Sequence, residues 1–161
     1  MELEKVLLSR KSCRSYLDKA VENEKMEKII TAASLAPLGL PKMCTPMLTL
    51  VTNSAVLEQL NGIYGAPALV IVSCPPSPAP GIADQNAACV VEMMSLMATD
   101  LGLGNIYLYG VTAALQKNDE LKAKLGIPEN FTPLAALAVG YGTEDVAVCK
   151  EFEPKLELTR A

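Results

Sequence analysis

The sequence predicts an α+β fold: an α/β sandwich whose helices flank a central sheet of four or five strands, built by one domain over residues 1–161. Three observations predict it. Apolar runs of strand length alternate along the chain with stretches of helical period. One such run, residues 66–73, is uninterrupted, as a central strand covered on both faces requires. A third stretch, after Asp84, is a long helix with hardly any polar face. Such a helix belongs in a core, or in a core shared between subunits.

Composition narrows the functional classes. A chain of 161 residues, half of them hydrophobic, suits one domain with a real core. A net charge of −4 and no long basic run argue against nucleic acid as the main partner. Charge or proline interrupts every long apolar segment, and the N-terminus lacks the order of a signal peptide, so no membrane span and a cytoplasmic location are expected. Five cysteines without a Cys-x-x-Cys pair read as reduced thiols. The chain has no histidine. That excludes a Ser-His-Asp or Cys-His mechanism within one chain and removes the commonest zinc ligand, so no metal site is expected. Chemistry here leans on a bound cofactor.

Residues 2–9 have the spacing of a short amphipathic helix, with Leu3, Val6 and Leu7 on one side. It leads into Arg10-Lys11-Ser12-Cys13-Arg14-Ser15-Tyr16. Three cations in five residues, with a hydroxyl between them, suit a phosphate. Arginine offers a planar fork for two oxygens, lysine a point charge, serine one further donor. Taken alone, the segment also reads as a solvated basic loop. Asn23 is placed as the N-cap of a helix over 24–35, with Met26, Ile29, Ile30 and Ala33 facing the core. Three prolines and a glycine make 36–46 an irregular loop, able to show backbone groups to a ligand or to act as a plain connection.

Residues 47–51 are a strand, Ser54 caps a short helix through Leu60, and four prolines keep 74–80 extended. Asp84 is placed as the N-cap of the long helix. Gly102 and Gly104 end it through the left-handed conformation, and 105–109 form the next strand. A single helix over 115–125 and a fourth strand over 134–139 follow. In the charged tail, Leu156 and Leu158 alternate with Glu157 as in a short strand. No Gly-x-Gly-x-x-Gly and no Walker sequence is present, so a Rossmann or P-loop assignment lacks its fingerprint.

In combination these pieces resemble the nitroreductase superfamily. Arg10-Lys11-Ser12-x-Arg14 resembles the N-terminal Arg-Arg-Ser-x-Arg that holds the FMN phosphate and ribityl chain. Residues 32–39 (AASLAPLG) resemble the helix end and start of the flavin loop, and 65–72 (GAPALVIV) the central strand. Leu101-Gly102-Leu103-Gly104, with the strand that runs on to Gly110, resembles the Leu-Gly-Leu-Gly turn and flavin-side strand. Leu125-Gly126-Ile127-Pro128 and Ala138-Val139-Gly140-Tyr141 resemble two later signatures. These motifs, each weak alone, stand in the family's order and cover almost the whole chain.

The resemblance implies a central mixed sheet and an intertwined homodimer with two FMN sites at the interface. It implies that the tail, about 143–161, reaches to the partner subunit, with 156–158 as an added edge strand. The implied activity passes hydride from NAD(P)H through flavin N5 to an electron-poor acceptor, a nitro or quinone-like compound. Tyr109 and Gly110 match the positions beside N5, with the Gly110 N–H as donor. Arg10, Lys11, Ser12, Arg14 and, more loosely, Lys150 match the phosphate ligands. Pro37, Leu38, Gly39, Pro41 and Met43 match the flavin loop.

That loop departs from the family's Pro-Ser-x-x-Asn-x-Gln-Pro-Trp: Pro41 stands for the asparagine and Met43 for the glutamine. At roughly 0.5–1.5 kcal/mol per net hydrogen bond, two lost bonds weaken flavin binding about tenfold or somewhat more. Cys44 beside them reads as an ordinary buried or loop cysteine, or as one near the ring. The departure leaves an alternative open: a flavin- or phosphate-ligand-binding dimer without efficient turnover.

Overall fold

The computed structural model describes residues 1–144 and 156–160. In chain order the elements are α1 (Leu3–Ser9), α2 (Asn23–Ser34), β1 (Met47–Val51), α3 (Ser54–Leu57), β2 (Ala68–Cys74), α4 (Ile82–Asp100), β3 (Gly104–Leu108), α5 (Gly110–Leu115), α6 (Asp119–Lys124) and β4 (Thr132–Gly140). The strands form one sheet in the order β1-β2-β4-β3. Among the described residues every neighbouring pair of strands is antiparallel, where the resemblance implied a mixed sheet. The reason lies in β4. The α4 crossover leaves β2 and β3 pointing the same way, but β4 inserts between them, antiparallel to both. Among the described residues, Ser12 and Asn105 form an isolated parallel bridge.

β2 is buried along its whole length, as its unbroken apolar run requires. Val70 lies opposite Leu50 of β1 on one side and Leu137 of β4 on the other. Its side chains alternate between two cores. Ala68, Val70, Val72 and Cys74 face α2 and α4, where Met26, Ile29, Val90, Val91 and Met94 complete the layer. Leu69 and Ile71 face the opposite layer, with Leu57, Val111, Leu115 and Leu121 from α3, α5 and α6.

Helix ends differ from expectation. α4 starts two residues before Asp84, after Gly81 at φ 78, with no side-chain cap. α2 includes Asn23, and Glu22 precedes it without a capping bond. Asn53, not Ser54, caps α3 by accepting from Val56 N. The helix expected over 115–125 starts later, at Asp119, because the Asn118 side chain accepts from Leu121 N at 3.0 Å and caps α6, while Leu115 ends α5. On α1, Val6 is buried while Leu3 and Leu7 are exposed. Residues 156–160 hold no strand.

The far end of α4 behaves as a glycine stop. Gly102 takes φ 74, its N–H donates to Thr99 O at 3.0 Å, and Leu103 N donates to Ala98 O at 2.9 Å. These two bonds satisfy the last carbonyls of the helix and release the chain into β3.

Candidate functional site: an anion cradle beside the first residues of β3

α4 and β3 are joined by a buried polar network. Ser95 Oγ donates to Asn105 Oδ1 at 2.7 Å, and Asn105 Nδ2 donates to Thr99 Oγ1 at 3.0 Å and Ser95 O at 3.3 Å. All three residues are buried, so each bond offsets the cost of removing polar atoms from water. Asn105 thus fixes where β3 begins. Its carbonyl then accepts from Cys13 N at 2.9 Å, which lays the basic segment against the sheet edge. Tyr16 holds the other side: its hydroxyl donates to Cys13 O at 3.1 Å and Ala138 O at 3.5 Å. Burial, then the neighbouring Cys13, pushes the Tyr16 hydroxyl far above its ordinary pKa, so it serves as a neutral donor.

Gly104 was expected to end the helix through a positive φ. It instead belongs to β3, and its value is the absent side chain. A Cβ there would lie 2.6 Å from Cys13 Sγ and 3.2 Å from Gly142 Cα. Cys13 Sγ, which donates to Ser15 O at 3.2 Å, is wedged between Gly104 and Gly142.

This packing leaves a cavity of about 240 Å³ lined by Lys11, Ser12, Cys13, Arg14, Ser15, Gly104, Thr143 and Glu144. Lys11 Nζ lies 3.1 Å from Glu144 Oε2. Arg14 makes no ion pair among the described residues and stands exposed. Two cations and two serines line one concave surface, and these residue types supply the donors that a phosphate group requires.

The other expected site residues lie elsewhere in the chain. Arg10 caps the C-terminal end of α1 and is half-buried, outside the cavity lining. Tyr109 and Gly110 stand at the opposite end of β3, about 13 Å along a strand from Asn105. The strand stops at Leu108, Tyr109 precedes α5 and Gly110 is its first residue. Both are exposed, and a first-turn N–H such as that of Gly110 has no partner within its own helix. Lys150 lies outside the described residues.

Pro37, Leu38, Gly39, Pro41 and Met43 form the loop after α2, and Asn86 holds that loop. Its Oδ1 accepts from Gly39 N at 2.8 Å, and its Nδ2 donates to Gly39 O at 2.9 Å and Cys44 O at 3.0 Å. One buried side chain thus fastens both ends of the loop to α4 and leaves Pro41, Lys42 and Met43 exposed. Leu40 sits at φ 50, a conformation that costs a non-glycine residue about 1–3 kcal/mol. Cys44 is buried, its Sγ facing Pro75 O. Burial, with Cys44 beside it, pushes the Cys74 thiol up to about 12. A thiol so shifted is inert at neutral pH.

The sequence reading had not singled out Asn86, Asn105, Tyr16 or Glu144. For Asn86 a signal existed: it shares a helical face with Val90, Met94 and Ala98, at steps of four, where an apolar residue is the default.

With the geometry in place, comparison with known proteins identifies the fold. The model of the nitroreductase family matches residues 46–141. The chain belongs to the nitroreductase family. A relative from Methanothermobacter thermautotrophicus, provisionally named NADH dehydrogenase/NAD(P)H nitroreductase, is 28% identical over 96% of this chain and 84% of its own. Among solved structures, a Bacteroides fragilis nitroreductase with bound FMN superposes with a TM-score of 0.85 at 26% identity, covering 100% of this chain and 99% of that one. A Desulfitobacterium hafniense nitroreductase with bound FMN gives 0.84 at 23% identity, covering 100% and 98%, a likeness of fold. Among the described residues no helix is long and apolar enough to cross a membrane.

Proposed function

We propose that the chain is an FMN-dependent oxidoreductase acting as a homodimer, with NAD(P)H as the electron donor and an electron-poor nitro or quinone-like compound as the acceptor. The observation that carries this reading is the cradle: Lys11, Ser12 and Arg14 gathered on one cavity at the start of β3. FMN, when bound, supplies the chemistry by accepting a hydride and passing electrons to the acceptor. The chain's own residues do the rest. Lys11, Ser12 and Arg14 hold the phosphate, with Arg10 and Lys150 assigned to the same role. Gly110 N–H is assigned as a donor toward N5, and Tyr109 lies next to it. The loop of Pro37, Leu38, Gly39, Pro41 and Met43 offers backbone groups to the ribityl chain or ring.

In one chain these three pieces stand apart. A two-fold dimer would bring the loop of one protomer to the cradle and β3 of its partner. Uncovered apolar surface favours such a dimer: Leu3 and Leu7 are 67% and 55% exposed on α1, which packs on α4. The whole chain is read as one domain, and the tail from about 143 is assigned to the partner subunit.

A specific observation keeps a second reading alive. Pro41 and Met43 carry no side chain able to hydrogen-bond the flavin strongly. On that reading the dimer binds flavin, or another phosphate ligand, without efficient turnover. Adding NADH or NADPH to the FMN-loaded protein without oxygen separates the two. An oxidoreductase bleaches and recovers its colour when a nitroaromatic or quinone is added; a binding module stays yellow.

A further inference from the structure

A phosphate cradle should contain no carboxylate, yet this one does. Glu144 is the acidic residue among the side chains lining the cavity, and its Oε2 is 3.1 Å from Lys11 Nζ. The two partners differ in exposure. The Lys11 side chain is 25% exposed and that of Glu144 is 80% exposed. The cation therefore belongs to the cavity, and the carboxylate reaches it from the water side.

We propose that Glu144 is a specificity-determining residue of the anion site: its carboxylate holds the Lys11 ammonium until a phosphate displaces it. This rests on the reading of the cradle as the FMN phosphate site. The physics is a competition for one charge. An exposed pair contributes little stability, so Glu144 releases Lys11 into contact with an oxyanion at small cost and swings into water. A dianionic phosphate engages Lys11, Arg14 and the serine hydroxyls together and wins the exchange. A halide or single carboxylate offers fewer acceptor sites and does not. Glu144 thus raises the threshold for any anion and lowers the preference for FMN over riboflavin, which lacks the phosphate.

Equilibrium titrations of the flavin-free protein with FMN, riboflavin and inorganic phosphate test this in wild type, Glu144→Gln, Lys11→Gln and the double variant. Glu144→Gln is expected to bind FMN and inorganic phosphate about three- to tenfold tighter, with riboflavin affinity unchanged. In the Lys11→Gln background the same substitution is expected to change nothing beyond twofold. Equal tightening for FMN and riboflavin would overturn the proposal, because the effect would then not act through the phosphate. So would a gain that survives in Lys11→Gln, no gain at all, or no anion bound by any variant. If neither flavin binds but inorganic phosphate follows the expected pattern, the flavin reading fails while the role of Glu144 stands.

Discussion

Changing Arg10 and Arg14 together to alanine is expected to abolish FMN retention while the chain stays folded. A charge-assisted hydrogen bond to phosphate is worth roughly 1.5–3 kcal/mol, so losing that of Arg14 weakens FMN by about 10- to 10²-fold, and losing a second from Arg10, in the role proposed for it, brings the loss to about 10²- to 10⁴-fold. Arg14 stands exposed and Arg10 half-buried, and neither belongs to the apolar cores, so the fold is expected to survive. The control is riboflavin. Its affinity should change little, because it has no phosphate for either arginine to meet. Fluorescence titration of both flavins, with thermal denaturation of the variant, reads all three quantities. Unchanged FMN affinity would mean that the phosphate site is misplaced. Equal losses for both flavins would mean that the arginines act on the fold or the ring.

Gly104→Ala is expected to damage both the fold and the site. Its Cβ would lie 2.6 Å from Cys13 Sγ, 3.0 Å from Cys13 Cβ and 3.2 Å from the Gly142 backbone. Turning the thiol aside does not relieve the clash, because the Cys13 Cβ and the Gly142 backbone stay too close. The basic segment must therefore lift from β3, stretching the 2.9 Å bond from Cys13 N to Asn105 O. Overpacking of this kind costs about 1–3 kcal/mol. Chemical denaturation should register that loss, and FMN affinity should fall at least about tenfold as Lys11, Ser12 and Arg14 move together. Cys13→Gly in the same chain removes both sulfur and Cβ and is expected to restore part of both. A Gly104→Ala variant with wild-type stability and FMN affinity would show that the cradle does not depend on this close approach.

What was legible in the sequence follows from how far apart the deciding residues are. β1 appears at residues 47–51 as expected, and β2 within two residues of its apolar run, because each reports its burial locally. The basic segment was visible as a charge cluster, and Lys11 to Ser15, five of its seven residues, line one cavity. The antiparallel sheet was not visible, because it depends on β4 slipping between two strands that α4 connects. The break between α5 and α6 was missed because the polar run 116–120 reads equally well as the solvated face of one helix, whereas the Asn118 side chain starts a new one. Glu144 was beyond reach: its partner Lys11 is 133 residues away, and no local pattern links them. Asn86 was the reverse case, a polar residue at a core position whose partners lie in a loop 42–47 residues earlier.

The central claim is that the cradle at the start of β3 belongs to a flavin site, and direct FMN uptake tests it. The flavin-free protein is mixed with FMN, separated from unbound flavin by gel filtration, and its visible spectrum and flavin content are recorded against protein concentration. The account predicts a yellow protein carrying one FMN per chain, eluting as a dimer. A colourless protein that takes up no FMN under these conditions would contradict it.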